Sequence, residues 1–174
     1  GSDTTIPPMN HGLIVTAAHF DSTGIRLATA TISGNVYIWD LLTGRQITTI
    51  ESNVNAIESM AFSPDGNLLH VRNKNDSSAI LDLQNEAVLA TPSGAWSMTK
   101  DWKILATSDD ARDLDIIFLD TIQPKMTLDV DSPTATAFSS DGTLLATADS
   151  TGNLHIWNLE QDDPAPYRVG HHNS

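Results

Sequence analysis

The sequence predicts an all-β protein made of about four small antiparallel sheets. One observation is the stretch at residues 138–158, in which short apolar segments alternate with tight polar turns. A second is that residues 20–40 repeat this pattern, and in both copies a tryptophan follows the first phenylalanine after nineteen residues. A third is that two weaker copies begin between them, at Phe62 and at Met98. The chain is therefore a repeat protein.

The four copies begin 42, 36 and 40 residues apart, and each holds about four short strands. This period is typical of β-propeller blades, whereas a helical solenoid would show an apolar rhythm of 3.6 residues. We predict four four-stranded antiparallel blades, which form half of an eight-bladed ring or a fragment of a larger propeller. The predicted segments are a tag remnant and leader at 1–10, blades at 11–52, 53–92, 93–130 and 131–171, and a tail at 172–174.

The strands of the first blade are predicted from its apolar segments and from the turns between them. They are expected at residues 13–20, 25–31, 36–40 and 46–50. In the fourth blade, two prolines stiffen a polar loop before the outermost strand, which is expected at Tyr167–Val169.

Short motifs recur at equivalent places in these copies: FSPDG at 62–66, FSSDG at 138–142, IWD at 38–40, IWN at 156–158 and LATA at 27–30 and 145–148. They resemble the WD-repeat family over residues 11–171, most specifically in the first and fourth blades. The resemblance implies a propeller that recruits protein partners. It also implies that the signature residues are structural, namely His11, Phe20, Trp39, Asp40, Phe62, Asp65, Gly66, Phe138, Asp141, Gly142 and Trp157.

Members of that family often tie a blade together with hydrogen-bonded Trp, Ser or Thr, His and Asp side chains. Ser33 and Thr151 stand six residues before the two tryptophans, where the family prefers Asp, so the tie is expected to be weaker here. The expected members are Trp39 with Thr29 or Thr31 and His11, and Trp157 with Thr147.

Composition narrows the functional classes. The net charge is -13, and nine scattered Lys and Arg residues offer no basic stripe for phosphates, which argues against nucleic acid. Basic protein partners become more favourable, although a solvated acidic surface also explains the charge. The sequence contains no run of eighteen apolar residues, so no membrane span is predicted. The absence of cysteine excludes disulfides and thiolate metal sites and is compatible with an intracellular location, cytoplasmic or nuclear.

The sequence shows no catalytic motif, so no enzyme activity, cofactor or metal is expected. A central-channel site would need polar residues on the innermost strands, where Glu58 and His19 alone stand out. The acidic loop with Asp109, Asp110, Asp113 and Asp115 lacks the ligand spacing of a calcium loop, so a solvated loop is the better interpretation.

The irregular positions of the third blade are the candidate partner contacts, because the regular positions are needed for folding. A tryptophan replaces the turn glycine of the other repeats, and an exposed aromatic beside charges is typical of an interface; packing over its own blade is the alternative. The candidates are Trp102, Lys103, Asp109, Asp110, Arg112 and Asp113.

Four blades leave two flat apolar faces that need a neighbour. Two copies joined head to tail in an eight-bladed ring would cover both, and this homodimer is the favoured prediction. Blades from other chains, closure of the four blades on themselves, or a longer parent protein are the alternatives. The predicted function is a non-catalytic protein-interaction scaffold. A regulatory or sensor segment of a larger signalling protein is the alternative, and a ligand-binding or enzymatic propeller is disfavoured.

Overall fold

The computed structural model describes residues 8–108, 113–120, 123–161 and 164–169. Every regular element in these residues is a β-strand, and the sixteen strands form four antiparallel sheets of four strands. We number the sheets 1 to 4 in chain order. The prediction of an all-β fold built from four-stranded antiparallel sheets is confirmed. Two compact units hold two sheets each, one up to Thr91 and one from Pro92 onwards.

Sheet 1 runs in the order β1 (Val15–Phe20), β2 (Arg26–Thr31), β3 (Asn35–Asp40) and β4 (Arg45–Glu51). The predicted strands differ from these bounds by at most two residues at either end. Side chains alternate between the two faces of each strand, and cross-strand pairing fixes which residues share a face.

We define the front face of a sheet by the three paired residues Phe20, Leu27 and Trp39 of sheet 1, and by the residues in register with them elsewhere. The back face is the opposite one, and in sheet 1 it carries Ala28 and Ile38.

Sheet 2 follows with β5 (Ile57–Phe62), β6 (Leu68–Asn73), β7 (Ser78–Asp82) and β8 (Ala87–Ala90). Its front face carries three paired apolar residues, Phe62, Leu69 and Leu81.

The core of the first unit lies between the back face of sheet 1 and the front face of sheet 2. Ala28, Val36 and Ile38 from sheet 1 are buried there together with Leu69 and Leu81 from sheet 2. Each aliphatic side chain of valine size or larger that is fully buried in this way contributes roughly 1.5–3 kcal/mol.

Sheet 3 contains β9 (Trp96–Met98), β10 (Ile104–Thr107), β11 (Asp113–Phe118) and β12 (Gln123–Asp129). Its outer pair has a register shift after Ile116, where β12 departs from regular pairing.

Sheet 4 contains β13 (Pro133–Phe138), β14 (Leu144–Asp149), β15 (Leu154–Asn158) and β16 (Tyr167–Val169). The predicted outermost strand of this sheet is confirmed by β16.

The core of the second unit repeats the arrangement of the first. The back face of sheet 3, with Ala106 and Ile116, meets the front face of sheet 4, with Phe138, Leu145 and Trp157. In both units, therefore, the back face of one sheet packs against the front face of the next sheet along the chain.

Candidate functional site

Among the described residues of its own unit, no sheet packs on the front face of sheet 1. Phe20 is 58% exposed there, and Leu27 beside it is half-buried. At the outer edge, a register shift in β4 places Ile47 next to Gln46, which pairs with Trp39, and Ile47 is 53% exposed. Large apolar side chains thus face solvent on one side of this sheet.

Trp39 lies on the same face but is buried, because a local polar network and the residues before β1 cover it. Its indole Nε1 donates to Thr29 Oγ1 at 2.9 Å, and the same hydroxyl lies 2.7 Å from His11 Nε2. The His11 ring also meets Trp39 and Tyr37 edge-on, at centroid distances of 5.3 and 5.0 Å. Of the two threonines considered from the sequence, Thr29 is the acceptor of the tryptophan.

Sheet 4 has the same tryptophan tie on a covered front face. Trp157 Nε1 donates to Thr147 Oγ1 at 3.0 Å, and both side chains are buried. His155 leans on the Trp157 ring at 6.1 Å, and its Nε2 lies 3.5 Å from the Asp149 carboxylate. The tie therefore occurs whether or not another sheet lies over the face.

The back face of sheet 4 is open in its own unit. Ala146 pairs with Ile156, which in turn pairs with Tyr167, and all three lie on this face. Tyr167 is 63% exposed, Leu154 on the same face is 41% exposed, and Leu144 is 40% exposed. The second unit thus presents its own apolar face, on the opposite side of the sheet from its core.

The signature acids form tight turns between the first two strands of sheets 2 and 4. Asp65 accepts a hydrogen bond from the Ser63 hydroxyl at 2.6 Å, and Asp141 accepts one from the Ser139 hydroxyl at the same distance. These bonds stabilise the ionised carboxylate and lower the pKa of both acids. The glycine after each acid, Gly66 or Gly142, has a positive φ.

The other signature acid in a turn is Asp40, which accepts hydrogen bonds from the backbone N–H of Leu42 and of Thr43 in the β3–β4 turn. Bonding to Thr43 and Leu42 lowers the pKa of Asp40. Like Asp65 and Asp141, this carboxylate is engaged in shaping its own turn.

Asp21 shapes the equivalent turn of sheet 1, and it stands at the position that serine occupies in sheets 2 and 4. It accepts from the Thr23 hydroxyl at 2.9 Å and from Arg26 Nε at 3.1 Å, and its side chain is buried. Burial favours the neutral carboxyl, but hydrogen bonds from the Arg26 N–H, the Thr23 hydroxyl and the Arg26 guanidinium outweigh it and lower the pKa of Asp21 to about 2.

Trp102 occupies the corresponding turn of sheet 3 at the position of the turn glycine. Its φ is +61°, a conformation that bulky residues rarely adopt, and its N–H donates to Thr99 O at 2.9 Å. The side chain is half-buried. Beside it, the Lys103 side chain is exposed and lies 3.6 Å from the Asp101 carboxylate.

Asp113 lies at the other end of sheet 3. The Leu119 N–H donates to Lys103 O, so Lys103 lies beside Leu119, just after the end of β11. Asp113 begins β11 six residues earlier, which places it roughly 20 Å from Lys103. Asp113 is exposed and pairs directly with Asp129 across β11 and β12, and like charges in such a pair repel. Of the candidate contacts, Trp102 and Lys103 therefore lie at one end of sheet 3 and Asp113 at the other. Asp109, Asp110 and Arg112 lie outside the described residues.

Two segments of the chain match the family model described as WD domain, G-beta repeat: residues 4–40 and residues 123–158. The second begins with β12 and ends with β15, and the first ends with β3. These two segments are similar to WD repeats. A comparison with curated proteins found no match. WD repeats generally mediate protein–protein interaction, and the family is typically non-catalytic.

Sequence reasoning missed Asp149 as the turn acid of sheet 4, because the family's usual position is held by Thr151. Asp149 is buried, and it accepts hydrogen bonds from the backbone and side chains of both Thr151 and Asn153. Bonds from the Thr151 hydroxyl and from Asn153 hold its pKa far below the usual range. The signal available was the Asp-x-Thr-x-Asn spacing, which places several donors within reach of one turn carboxylate.

A polar cavity of about 460 Å³ was also missed; it lies where the β2–β3 turn meets the β4–β5 connection of the first unit. Ser52 fixes its floor, since its hydroxyl donates to Gly34 O at 2.8 Å and accepts from the Val54 N–H. Gly34 has a φ of +87°, and a Cβ there would meet Val54 O at 2.6 Å. The lining residues are Ser33, Gly34, Asn35, Glu51, Ser52, Asn53 and Asn55.

Two residues considered for a central-channel site, Glu58 and His19, lie on the first strands of sheets 2 and 1. Glu58 and His19 are exposed, and the His19 ring lies 6.3 Å from the Phe62 ring. Across the described parts of the chain, no three His, Asp or Glu side chains are grouped so that they could hold a metal ion. The same residues include no helix with the length and apolar character needed to cross a membrane.

Proposed function

We propose that this WD-repeat chain is a non-catalytic interaction scaffold that binds protein through the open front face of sheet 1. The observation that supports the proposal is a difference between equivalent residues. Leu145 on the front face of sheet 4 is fully buried and Phe138 packs into the core beside it, whereas Leu27 is half-buried and Phe20 is mostly exposed. The front face of sheet 1 thus has the composition of a packed surface without a sheet packed on it.

The shape and chemistry of this face favour a protein as its occupant. Small-molecule sites are concave, whereas the face of a sheet is broad and offers few convergent polar groups. Aromatic side chains are enriched at protein interfaces, and burial of Phe20 and Ile47 would remove two large apolar side chains from water. A second copy of the chain, or a sheet from another chain, would supply the covering surface.

The ends of sheet 3 are a secondary proposal for partner contacts. Trp102 and Lys103 would contact a partner at one end, where Trp102 has a positive φ that normally favours glycine. Asp113, opposite Asp129, would act at the other end and would suit a basic group. An intracellular location stays a prediction.

The proposal can be tested with a benzophenone photo-crosslinker in place of Phe20. A matched protein carries the crosslinker in place of Lys74, which is exposed in the β6–β7 turn. Each purified protein is irradiated alone and in an extract of its source cells, and adducts with any protein are quantified by mass spectrometry. Position 20 is expected to give several-fold more adduct than position 74. Equal yields, or no adduct from position 20, would contradict the proposal.

A further inference from the structure

The first three strands of sheets 1 and 4 are similar in sequence and have the same register, but opposite faces of the two sheets are buried. In sheet 1 the back face is covered by sheet 2, and Val36 and Ile38 there are at most 1% exposed. In sheet 4 the front face is covered by sheet 3, and Leu145 and Trp157 are at most 3% exposed. The covered back face of sheet 1 therefore shows how the open back face of sheet 4 could be covered, and the covered front face of sheet 4 does the same for the open front face of sheet 1.

The open back face of sheet 4 is a close copy of the covered back face of sheet 1. A constant offset of 118 residues relates them, as it relates Phe20 to Phe138. The equivalent pairs are Ala17 and Ala135, Ala28 and Ala146, Ala30 and Ala148, Val36 and Leu154, and Ile38 and Ile156. Much of the surface that receives a Phe-Leu-Leu front face inside the first unit is thus present a second time, on a face of sheet 4 that the described residues of its own unit leave open.

The contacts of Phe62 show how a front-face phenylalanine is seated. Its ring lies 6.3 Å from the His19 ring and 5.6 Å from the Arg26 guanidinium carbon, both on sheet 1. In the second unit Ile104, at the position equivalent to Arg26, packs in the same cluster as Phe138. The residue at this position therefore lies beside the phenylalanine of the neighbouring sheet in the first unit and in the same apolar cluster as that phenylalanine in the second.

The equivalent positions of sheet 4 are both apolar. Ala137 stands at the position of His19 and Leu144 at the position of Arg26, and Leu144 is 40% exposed. Removing an exposed leucine side chain from water is favourable, so Leu144 could pack against one more phenylalanine. Phe20 is the front-face phenylalanine without such a seat in its own unit.

We propose that the open front face of sheet 1 in one copy of the chain packs on the open back face of sheet 4 in a second copy, with Phe20 seated beside Ala137 and Leu144. The inference rests on the proposed protein-binding function of the sheet 1 face and names its partner. It commits to a second copy because a back face closely similar to that of sheet 1 is only partly buried on this chain itself, with Leu144 and Leu154 exposed.

The area of the contact favours a pair of copies that use both open faces at once. A sheet of four six-residue strands measures roughly 15 Å by 20 Å, so a single face buries less than the roughly 800 Å² per partner of a standard stable interface. Two such contacts in one dimer double the buried area. A contact between unlike surfaces closes into a ring or continues as a filament, and a dimer is the smallest closed form.

The absence of cysteine from the chain allows a direct test. Chains carrying Phe20→Cys are mixed with chains carrying Leu144→Cys and treated with a short bismaleimide. Because each chain has one thiol, every product that joins position 20 to position 144 is intermolecular. In the control mixture Asp76→Cys, in the exposed β6–β7 turn, replaces Leu144→Cys.

We expect at least tenfold more 20–144 product than 20–76 product, with circular dichroism showing that all three variants keep the β-sheet fold. Equal yields of the two products would overturn the inference, as would a dominant 20–20 product, which would mean that like faces meet. If position 20 captures another protein in the photo-crosslinking experiment while no 20–144 product forms, the proposed function stands and this inference falls. If neither adduct forms, both fall.

Discussion

Sheets 1 and 4 are the two most similar parts of the chain, and they differ mainly in what lies on them. Both have a Phe-Leu-Trp front face and a buried tryptophan bonded to a threonine. The front face of sheet 4 lies in a core, whereas that of sheet 1 exposes Phe20. This pattern therefore forms a surface that can pack against a neighbouring sheet, and the presence of that neighbour determines whether the surface is buried.

The largest effect that tests this comparison is the loss of an equivalent leucine from each front face. Leu145→Ala is expected to reduce the free energy of unfolding by about 3 kcal/mol, because it leaves a cavity in a closed core. Leu27→Ala should cost about 1 kcal/mol, because its site is half-buried and open to solvent. Urea unfolding at a concentration where the chain is monomeric measures both, and equal losses would contradict the account.

The tryptophan ties should show the opposite order. Thr147→Val leaves one buried indole N–H without its acceptor and is expected to cost about 1–2 kcal/mol. Thr29→Val also removes the partner of His11, so it should cost about 1 kcal/mol more. Thermal unfolding of the two variants makes the comparison. A smaller cost for Thr29→Val would mean that His11 contributes nothing to sheet 1.

Much of the fold was predictable because its causes are local. Alternating side chains and turn residues specify each strand and hairpin, and the predicted bounds of β1 to β4 and of β16 agree with the structure within two residues. The exposure of Phe20 follows from the number of sheets and not from its local pattern, because Phe20 and Phe138 have the same local sequence pattern and differ only in their neighbours. Lys103 and Asp113 are separated because Lys103 precedes β10 and Asp113 begins β11, at the opposite end of the sheet. The candidates were chosen as irregular positions, without regard to the end of the sheet at which each lies.

A third prediction concerns acid. The pKa of Asp21 is lowered to about 2 in the folded chain, below the value of about 3.9 of an unfolded aspartate. The stability that the ionised group provides is therefore complete above about pH 4 and is lost as the pH falls towards 2. The difference in unfolding free energy between the wild type and Asp21→Asn should shrink over this window. A difference that stays constant from pH 5 to pH 2 would exclude this role for Asp21.

In sheet 4 the matched variant is Asp141→Asn. The pKa of Asp141 is lowered by hydrogen bonds from the Ser139 hydroxyl and from Thr143, but the residue is exposed. Solvent weakens such an interaction, so the pH-dependent difference should be smaller for Asp141→Asn than for Asp21→Asn.

The smallest effect is expected in the turn of sheet 3. Gly142 of sheet 4 and Trp102 of sheet 3 hold the same turn position with positive φ, which costs a bulky residue about 1–2 kcal/mol. Trp102→Gly should therefore raise the unfolding free energy by up to about 1 kcal/mol, measured by urea titration. A loss of more than about 1 kcal/mol would show that the indole packs as part of the fold, which would remove Trp102 from the candidate partner contacts.

We expect the open faces of sheets 1 and 4 to make this chain associate with itself, and the mass of the particle in solution reports that association. Light scattering coupled to size exclusion should give twice 18.7 kDa for the wild type and 18.7 kDa for Leu144→Glu. Leu42→Glu, in the exposed β3–β4 turn, should keep the larger mass. A wild-type chain that stays at 18.7 kDa at micromolar concentrations would contradict the account.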